Sequence, residues 1–348
     1  MAQETPTTSV AITEAVNDIL ATIDRERERE IVSRRFGLFD RKETLEQIGE
    51  LLGITRERVR QLEKSVVTRL KTAAEQGDVP HISEIEGVFV TQIEAHGGVM
   101  RISELAKAVT KEGSKHDQSQ VAFLAQLCPR LVVINDDDHF HHSTAVATLH
   151  DEKTLKSLVD KLIKTIKDIG EPKPIEHIAD AAGMKSSTHA AALASTSKHL
   201  ATLNGHWGLM KWPIVNPKNI RDKIYVILKQ NGKHMHFNDI AGAIKDSEFK
   251  RKDVTTQAIH NELIKDKRFV LIGRGIYALK EWGYKKGTVA DIISEVLKAA
   301  GEPLHRDEIV KRVLKSRYVK ETTILLNLQS KPQFKRVAKA TYTLADAE

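Results

Sequence analysis

The sequence predicts a mainly α fold: a helix-turn-helix followed by tandem winged helix-turn-helix domains, each of three helices plus a short β-hairpin. Three observations carry this. Between Thr44 and Lys71, two apolar stripes of helical period meet at a glycine turn. After Pro80, a single plan of helix, glycine turn, two helices and hairpin recurs four times, at a spacing of roughly 60–70 residues. Charged residues make up 29% of the 348 residues and aromatics only 5%, which suits several small helical domains better than one large sheet.

Residues 1–10 form a polar, Thr-rich stretch and read as a disordered tail. Ala11 to Ile23 places Ile12, Val16, Ile19, Leu20 and Ile23 on one helical face. Asp24 is positioned to cap the next helix, whose alternating Arg and Glu read as a solvated face. Thr44 should cap a further helix, with Gln47 completing a capping box. Leu45, Ile48 and Leu51 supply its apolar stripe, and Leu52-Gly53-Ile54 the turn. Thr55 then caps a second helix whose Val59, Leu62, Val66 and Leu70 point inward.

The opposite face of that second helix carries Arg56, Glu57, Arg60, Gln61 and Lys64. Arg pairs with guanine, Gln with adenine, and Glu accepts from cytosine in the major groove. The same periodicity also fits a solvated charged face. The stretch from Gln76 to Pro80 ends the helix and reads as a linker.

The words of this stretch narrow the choice. Gly53-Ile-Thr-Arg-Glu-Arg-Val-Arg-Gln-Leu-Glu63, preceded by Leu45-Glu-Gln-Ile-Gly-Glu-Leu-Leu52, resembles region 4 of the bacterial sigma-70 family. Arg29 to Leu38 resembles the first half of that region, so the likeness runs from about Ile23 to Lys71. It implies a module that reads the promoter −35 element, with Arg56, Glu57, Arg60 and Gln61 on bases and Arg58 and Lys64 on phosphates. It also implies docking on the beta flap of RNA polymerase core, through a surface that Ile31–Leu38 partly matches. No aromatic-rich segment resembling sigma region 2 is found, so the resemblance does not extend to a complete sigma factor that opens promoters alone.

The expected organisation is 11–77 for the sigma-like module, then winged units at 81–150, 151–215, 218–285 and 286–348. In the third, Phe269-Val-Leu-Ile-Gly-Arg-Gly-Ile-Tyr-Ala-Leu279 reads as a hairpin, and its continuation to Gly283 resembles the HARE-HTH family, which includes the N-terminal domain of the polymerase delta subunit. The expected hairpin strands elsewhere are Leu131–Ile134 with Phe140, Leu200–Leu203 with Trp207–Met210, and Phe334–Val337 with Thr341–Leu344. Asn204-Gly205 suits a two-residue turn.

Net charge is +7. The excess lies in residues 218–348, which hold 27 Lys and Arg against 16 Asp and Glu, so phosphate contacts are expected there. Candidates are Lys250, Arg251 and Lys252, with Arg274 at the hairpin tip between two glycines. Thr255, Thr256, Gln257, His260 and Asn261 are candidates for an outward helix face; Lys320, Lys335, Arg336 and Lys339 are weaker ones in the last unit. His139, His141 and His142 read as a polar hairpin tip, since a metal site needs convergent ligands. Trp207 and Trp212 read as hairpin aromatics.

The single cysteine, Cys128, excludes an internal disulfide and reads as core. No nucleotide loop, nucleophile motif or paired-carboxylate pattern stands out, so neither an enzyme nor a cofactor is expected. The polar start and the lack of long apolar runs point to a soluble, cytoplasmic, nucleoid-associated protein without membrane contact. Double-stranded DNA is the expected partner of a transcriptional regulator or promoter-associated factor. The alternative is an RNA polymerase-binding adapter acting through protein contacts.

Overall fold

The computed structural model describes residues 12–249 and 251–345. The expected tail at 1–10 and the candidate Lys250 lie outside the described residues. The protein is mainly helical with small antiparallel sheets. It divides after Met210 into two compact units.

The first unit opens with α1 (Ile12–Ala21), α2 (Glu26–Phe36), α3 (Leu45–Leu52) and α4 (Arg56–Gln76). Next come α5 (Ile82–Ala95), β1 (Val99–Arg101), α6 (Ile102–Val109), α7 (Lys115–Leu127), β2 (Leu131–Ile134) and β3 (Ser143–Val146). It closes with α8 (Glu152–Ile169), β4 (Lys173–Pro174), α9 (Ile175–Ala181), α10 (Ser187–Thr196), β5 (Leu200–Leu203) and β6 (His206–Leu209).

The second unit runs through α11 (Ile220–Asn231), β7 (Met235–His236), α12 (Phe237–Asp246), α13 (Thr256–Lys265), β8 (Phe269–Gly273) and β9 (Ile276–Leu279). The same order repeats in α14 (Val289–Ala300), β10 (Leu304–His305), α15 (Arg306–Ser316), α16 (Glu321–Ser330), β11 (Phe334–Ala338) and β12 (Thr341–Leu344).

Each of the four repeats carries a three-stranded antiparallel sheet in which the last strand lies between the other two: β1-β3-β2, β4-β6-β5, β7-β9-β8 and β10-β12-β11. The outer strand between the first and second helices was not foreseen. It is only two or three residues long, too short for an alternating pattern to show. Its partner supplies the ladder: Val99 faces Ala145 and Met235 faces Tyr277. In the first repeat the strand opposite β2 is Ser143–Val146, whereas Phe140 makes an isolated bridge to Ser197. Asn204 and Gly205 both adopt positive φ, 50° and 75°, in the expected two-residue turn.

Several local readings are corrected. Arg25, not Asp24, occupies the N-cap of α2 and makes no side-chain cap bond. Glu28 lies in the stretch read as solvated, yet it is buried because it answers Arg69 from α4. Leu51 is exposed, and Leu52 packs inward in its place. Val79, within the stretch read as a linker, is buried.

Val79 belongs to a continuous apolar core that joins α1, α2, α4, α5, α6, α7 and the β2–β3 pair. Val66 and Leu70 of α4 thus share a core with Val121, Phe123 and Leu124 of α7. At its edge, Phe36 meets Phe123 edge to face, with ring centroids 5.1 Å apart. Cys128, at the end of α7, is fully buried, and burial pushes its thiol pKa up.

Candidate nucleic-acid interface

The α3–turn–α4 segment is a helix-turn-helix whose joints are explicit. Gln47 N donates to Thr44 Oγ1 at 3.2 Å, and Thr44 N donates to Gln47 Oε1 at 2.9 Å, which closes the capping box. Gly53 ends α3 at φ 63°, where its amide and that of Ile54 return to carbonyls of α3. Gly49 is needed for a different reason: a Cβ there would stand 2.7 Å from the Ile54 carbonyl oxygen. Thr55 Oγ1 accepts from Arg58 N at 3.2 Å and starts α4. A small core of Ile31, Ile48 and Val59 holds α2, α3 and α4 together.

Further side-chain bonds tie α2 to the end of α3 and to α4. Arg27 donates to the Leu52 carbonyl oxygen at 2.6 Å. Glu28 accepts from Arg69 at 2.8 Å and from Arg25 at 3.1 Å. The Arg69 hydrogen bond, helped by both guanidinium charges, holds the Glu28 carboxyl below its ordinary pKa despite burial.

Arg56, Glu57, Arg58, Arg60, Gln61 and Lys64 are all exposed on α4. Most are paired locally. Arg60 grips Glu57 through two bonds of 2.7 and 2.8 Å. Gln61 Nε2 reaches Glu57 Oε1 at 3.4 Å, and Arg58 reaches Gln61 Oε1 at 3.4 Å. Arg56 bridges to Glu46 of α3 at 2.8 Å. The Arg60 bond lowers the Glu57 pKa and raises that of Arg60. These exposed pairs are weak in water, so the guanidinium groups can exchange a carboxylate for a base edge or phosphate at little cost.

In the second unit, Arg251 and Lys252 are exposed before α13, and the Arg251 carbonyl accepts from Lys223 Nζ at 2.7 Å. Arg274 is exposed at the β8–β9 turn, where Gly275 takes φ 70° against the His236 ring. Thr255 is spent as the N-cap of α13, and Gln257 donates to Asn261 at 3.2 Å. His260 does not face outward freely: its ring lies against Phe237 and Tyr277. Lys320, Lys335, Arg336 and Lys339 are exposed.

His139 Nδ1 lies 2.7 Å from His199 Nε2 of the next repeat. Among the described residues, no three His, Cys, Asp or Glu side chains are grouped to hold a metal. Trp207 stands in β6 opposite Thr202, while Trp212 lies outside the hairpin and its carbonyl caps a turn.

Sequence reading missed one feature of the first unit. A cleft of about 790 Å³ opens beside α4, bounded by α7, the start of α6 and the loop after β2. Arg60 and Lys64 of α4 form one wall, and Lys71, Lys42, Arg101 and Lys115 join them. These cations come from four separate stretches, so no local pattern marks them.

Residues 25–72, which span α2, α3 and most of α4, match the family model described as Sigma-70, region 4. The chain is 43% identical over 76 residues to RNA polymerase sigma factor RpoS of Coxiella burnetii, covering 22% of this chain and 19% of that protein. It is 44% identical over 59 residues to RNA polymerase sigma factor SigA of a Bacillus species, covering 17% and 15%. RNA polymerase sigma factor SigA1 of Synechococcus elongatus is 42% identical over 72 residues, covering 20% and 18%. The chain therefore spans less than a fifth of the length of these relatives. No helix among the described residues is long and apolar enough to cross a membrane.

Proposed function

We propose that this protein is a DNA-binding transcriptional regulator or promoter-associated factor, a binding protein rather than an enzyme, acting in the cytoplasm on the nucleoid. Helix α4 enters the major groove, with Arg56, Glu57, Arg60 and Gln61 at base edges and Arg58 and Lys64 at phosphates. The four repeats are read as winged helix-turn-helix domains, the third of HARE-HTH type. Arg251, Lys252 and Arg274, with Lys250, add phosphate contacts from the basic last third. The observation that carries the reading is the exposed polar face at the start of α4, held by a capped turn inside a stretch that matches sigma-70 region 4.

Selection of duplexes from a random pool tests it. The wild type should enrich a defined site, and an Arg56→Ala/Arg60→Ala variant should lose that enrichment. A variant that enriches the same site as strongly as wild type overturns the assignment of α4.

One observation favours a second reading, an adapter that binds RNA polymerase core. Phe39, inside the matched stretch, is 63% exposed, and the matched relatives are named as sigma factors of RNA polymerase. Ile31 and Leu38 are fully buried, so they offer a partner nothing, and apolar docking falls to Phe39. Co-purification of polymerase with the full chain, resistant to nuclease and lost in Phe39→Ser, would support the adapter. Full-length protein is required because Val66 and Leu70 share their core with α7.

A further inference from the structure

The cleft beside α4 has an uneven charge balance. Its carboxylates are Glu63 and Asp136, and both are committed: Glu63 to Arg35 at 3.4 Å and Asp136 to Lys198 at 3.1 Å. Four of its ammonium groups, on Lys42, Lys64, Lys71 and Lys115, make no hydrogen bond or ion pair with any described residue. The uncompensated charge is therefore all positive. Four lysines facing one concavity repel one another, and their mutual repulsion is relieved by a bound anion.

The position of the cleft indicates which anion. Arg60, Lys64, Thr68 and Lys71 line it at three- and four-residue spacing, and so form one stripe down α4. From Arg60 to Lys71 that stripe runs about 16 Å at the rise of an α-helix. It begins on the face assigned to base edges and leads away from it, which is where a helix with its first turns in the major groove meets the sugar-phosphate strand. Lys115, at the first position of α7, faces this stripe from the other wall. The α6 N-terminus also borders the cleft through Ile102 and Ser103, and its N-cap makes no side-chain bond. Its partial positive charge has the right sign for phosphate.

We propose that the cleft is a phosphate clamp: one strand of the duplex read by α4 passes between Lys71 of α4 and Lys115 of α7. This rests on the DNA-binding reading and deepens it. The first repeat then contributes a backbone grip, not a second reading helix. The middle and end of α7 are buried, with Gln120, Val121, Phe123 and Leu124 all inside.

The test is equilibrium binding of the full chain and its Lys71→Gln/Lys115→Gln variant across a salt series. The probes are the selected duplex and a random duplex of equal length. Matching thermal unfolding midpoints would establish that the variant is folded. We expect several-fold weaker binding to both duplexes and an unchanged preference between them. The log affinity against log salt should flatten by about 1.8, two contacts at about 0.9 each. An unchanged slope and affinity, with wild type still selecting its site, would overturn the clamp and leave the DNA reading standing. Failure of the wild type to bind duplex even at low salt would instead overturn that reading, and the clamp with it. A parallel arm measures thermal stabilisation by ATP. If ATP stabilises wild type but not the variant, while both share one duplex salt slope, the cleft takes a free nucleotide and the strand proposal falls.

Discussion

Arg69 Nη2 donates to Glu28 Oε2 at 2.8 Å, so the second half of α4 is held to the start of α2 by a carboxylate only 5% exposed. Arg69 lines the same shallow surface pocket as Arg60, Gln61 and Lys64, and the pair helps set the angle at which that face is presented. Glu28→Gln keeps the shape and removes the charge. It should cost about 1–2 kcal/mol, since hydrogen bonds to charged groups are the stronger class and Arg69 is half exposed. The sign with pH follows from the depressed Glu28 pKa. The contribution is full above its ordinary value of 4.5 and is lost as pH falls through the folded value. Denaturant unfolding of wild type and variant from neutral pH to below pH 4 should show the two curves parallel above pH 4.5 and converging below it.

Phe123 makes the shared core measurable. It is fully buried in α7 and touches Phe36 of α2. Phe123→Ala should destabilise by about 3–5 kcal/mol, the range for a large aromatic removed from a packed core. Because that core includes α1, α2 and α4, hydrogen exchange should accelerate in all three as well as in α7. Acceleration confined to residues 82–146 would show that the helix-turn-helix stands independently of the first repeat.

Gly49 carries no side chain because the Ile54 carbonyl oxygen occupies that space. Gly49→Ala must push α3 away from the turn, at a cost of about 1–3 kcal/mol. The gain in helix propensity, at most about 1 kcal/mol, opposes this. A net loss in unfolding free energy, with weaker selection of the preferred duplex, is the expected result; a more stable protein would mean that the turn yields freely.

His150 and His189 stack between the first and second repeats, with Nε2 atoms 2.9 Å apart and ring centroids at 4.8 Å. Burial, and then the neighbouring His189, lower the His150 pKa from 6.5, while Asp151 opposes the shift. The unfolded chain therefore binds this proton more readily than the folded one. Stability is full above the ordinary value of 6.5 and declines as pH falls below it, by at most about 1.4 kcal/mol per pH unit for one proton. His150→Asn should flatten the stability profile between pH 7 and 5 relative to wild type. Parallel profiles would exclude His150 as the source.

The sequence was most legible where structure is local. The caps at Thr44 and Thr55, the turn at Gly53 and the inward stripe from Val59 to Leu70 are each written in a few adjacent residues, and all stand as expected. The hairpin turn at Asn204-Gly205 is of the same kind. Helix period also located the three helices of every repeat, because a buried stripe needs only its own spacing to be seen.

What tertiary structure decided depends on residues that meet from far apart. Glu28 reads as solvated until Arg69, 41 residues on, arrives beside it. The outer strand of each sheet exists because a partner strand passes within bonding distance. The stretch at Val79 packs inside because α7 shares its core with α4. The cleft of Lys42, Lys64, Lys71 and Lys115 has the same origin. By itself the sequence determined which segments are helical and which face of α4 is polar. Only the fold decided which charges are satisfied and which wait unpaired, since charge interactions depend on distance in space and sequence order does not contain it.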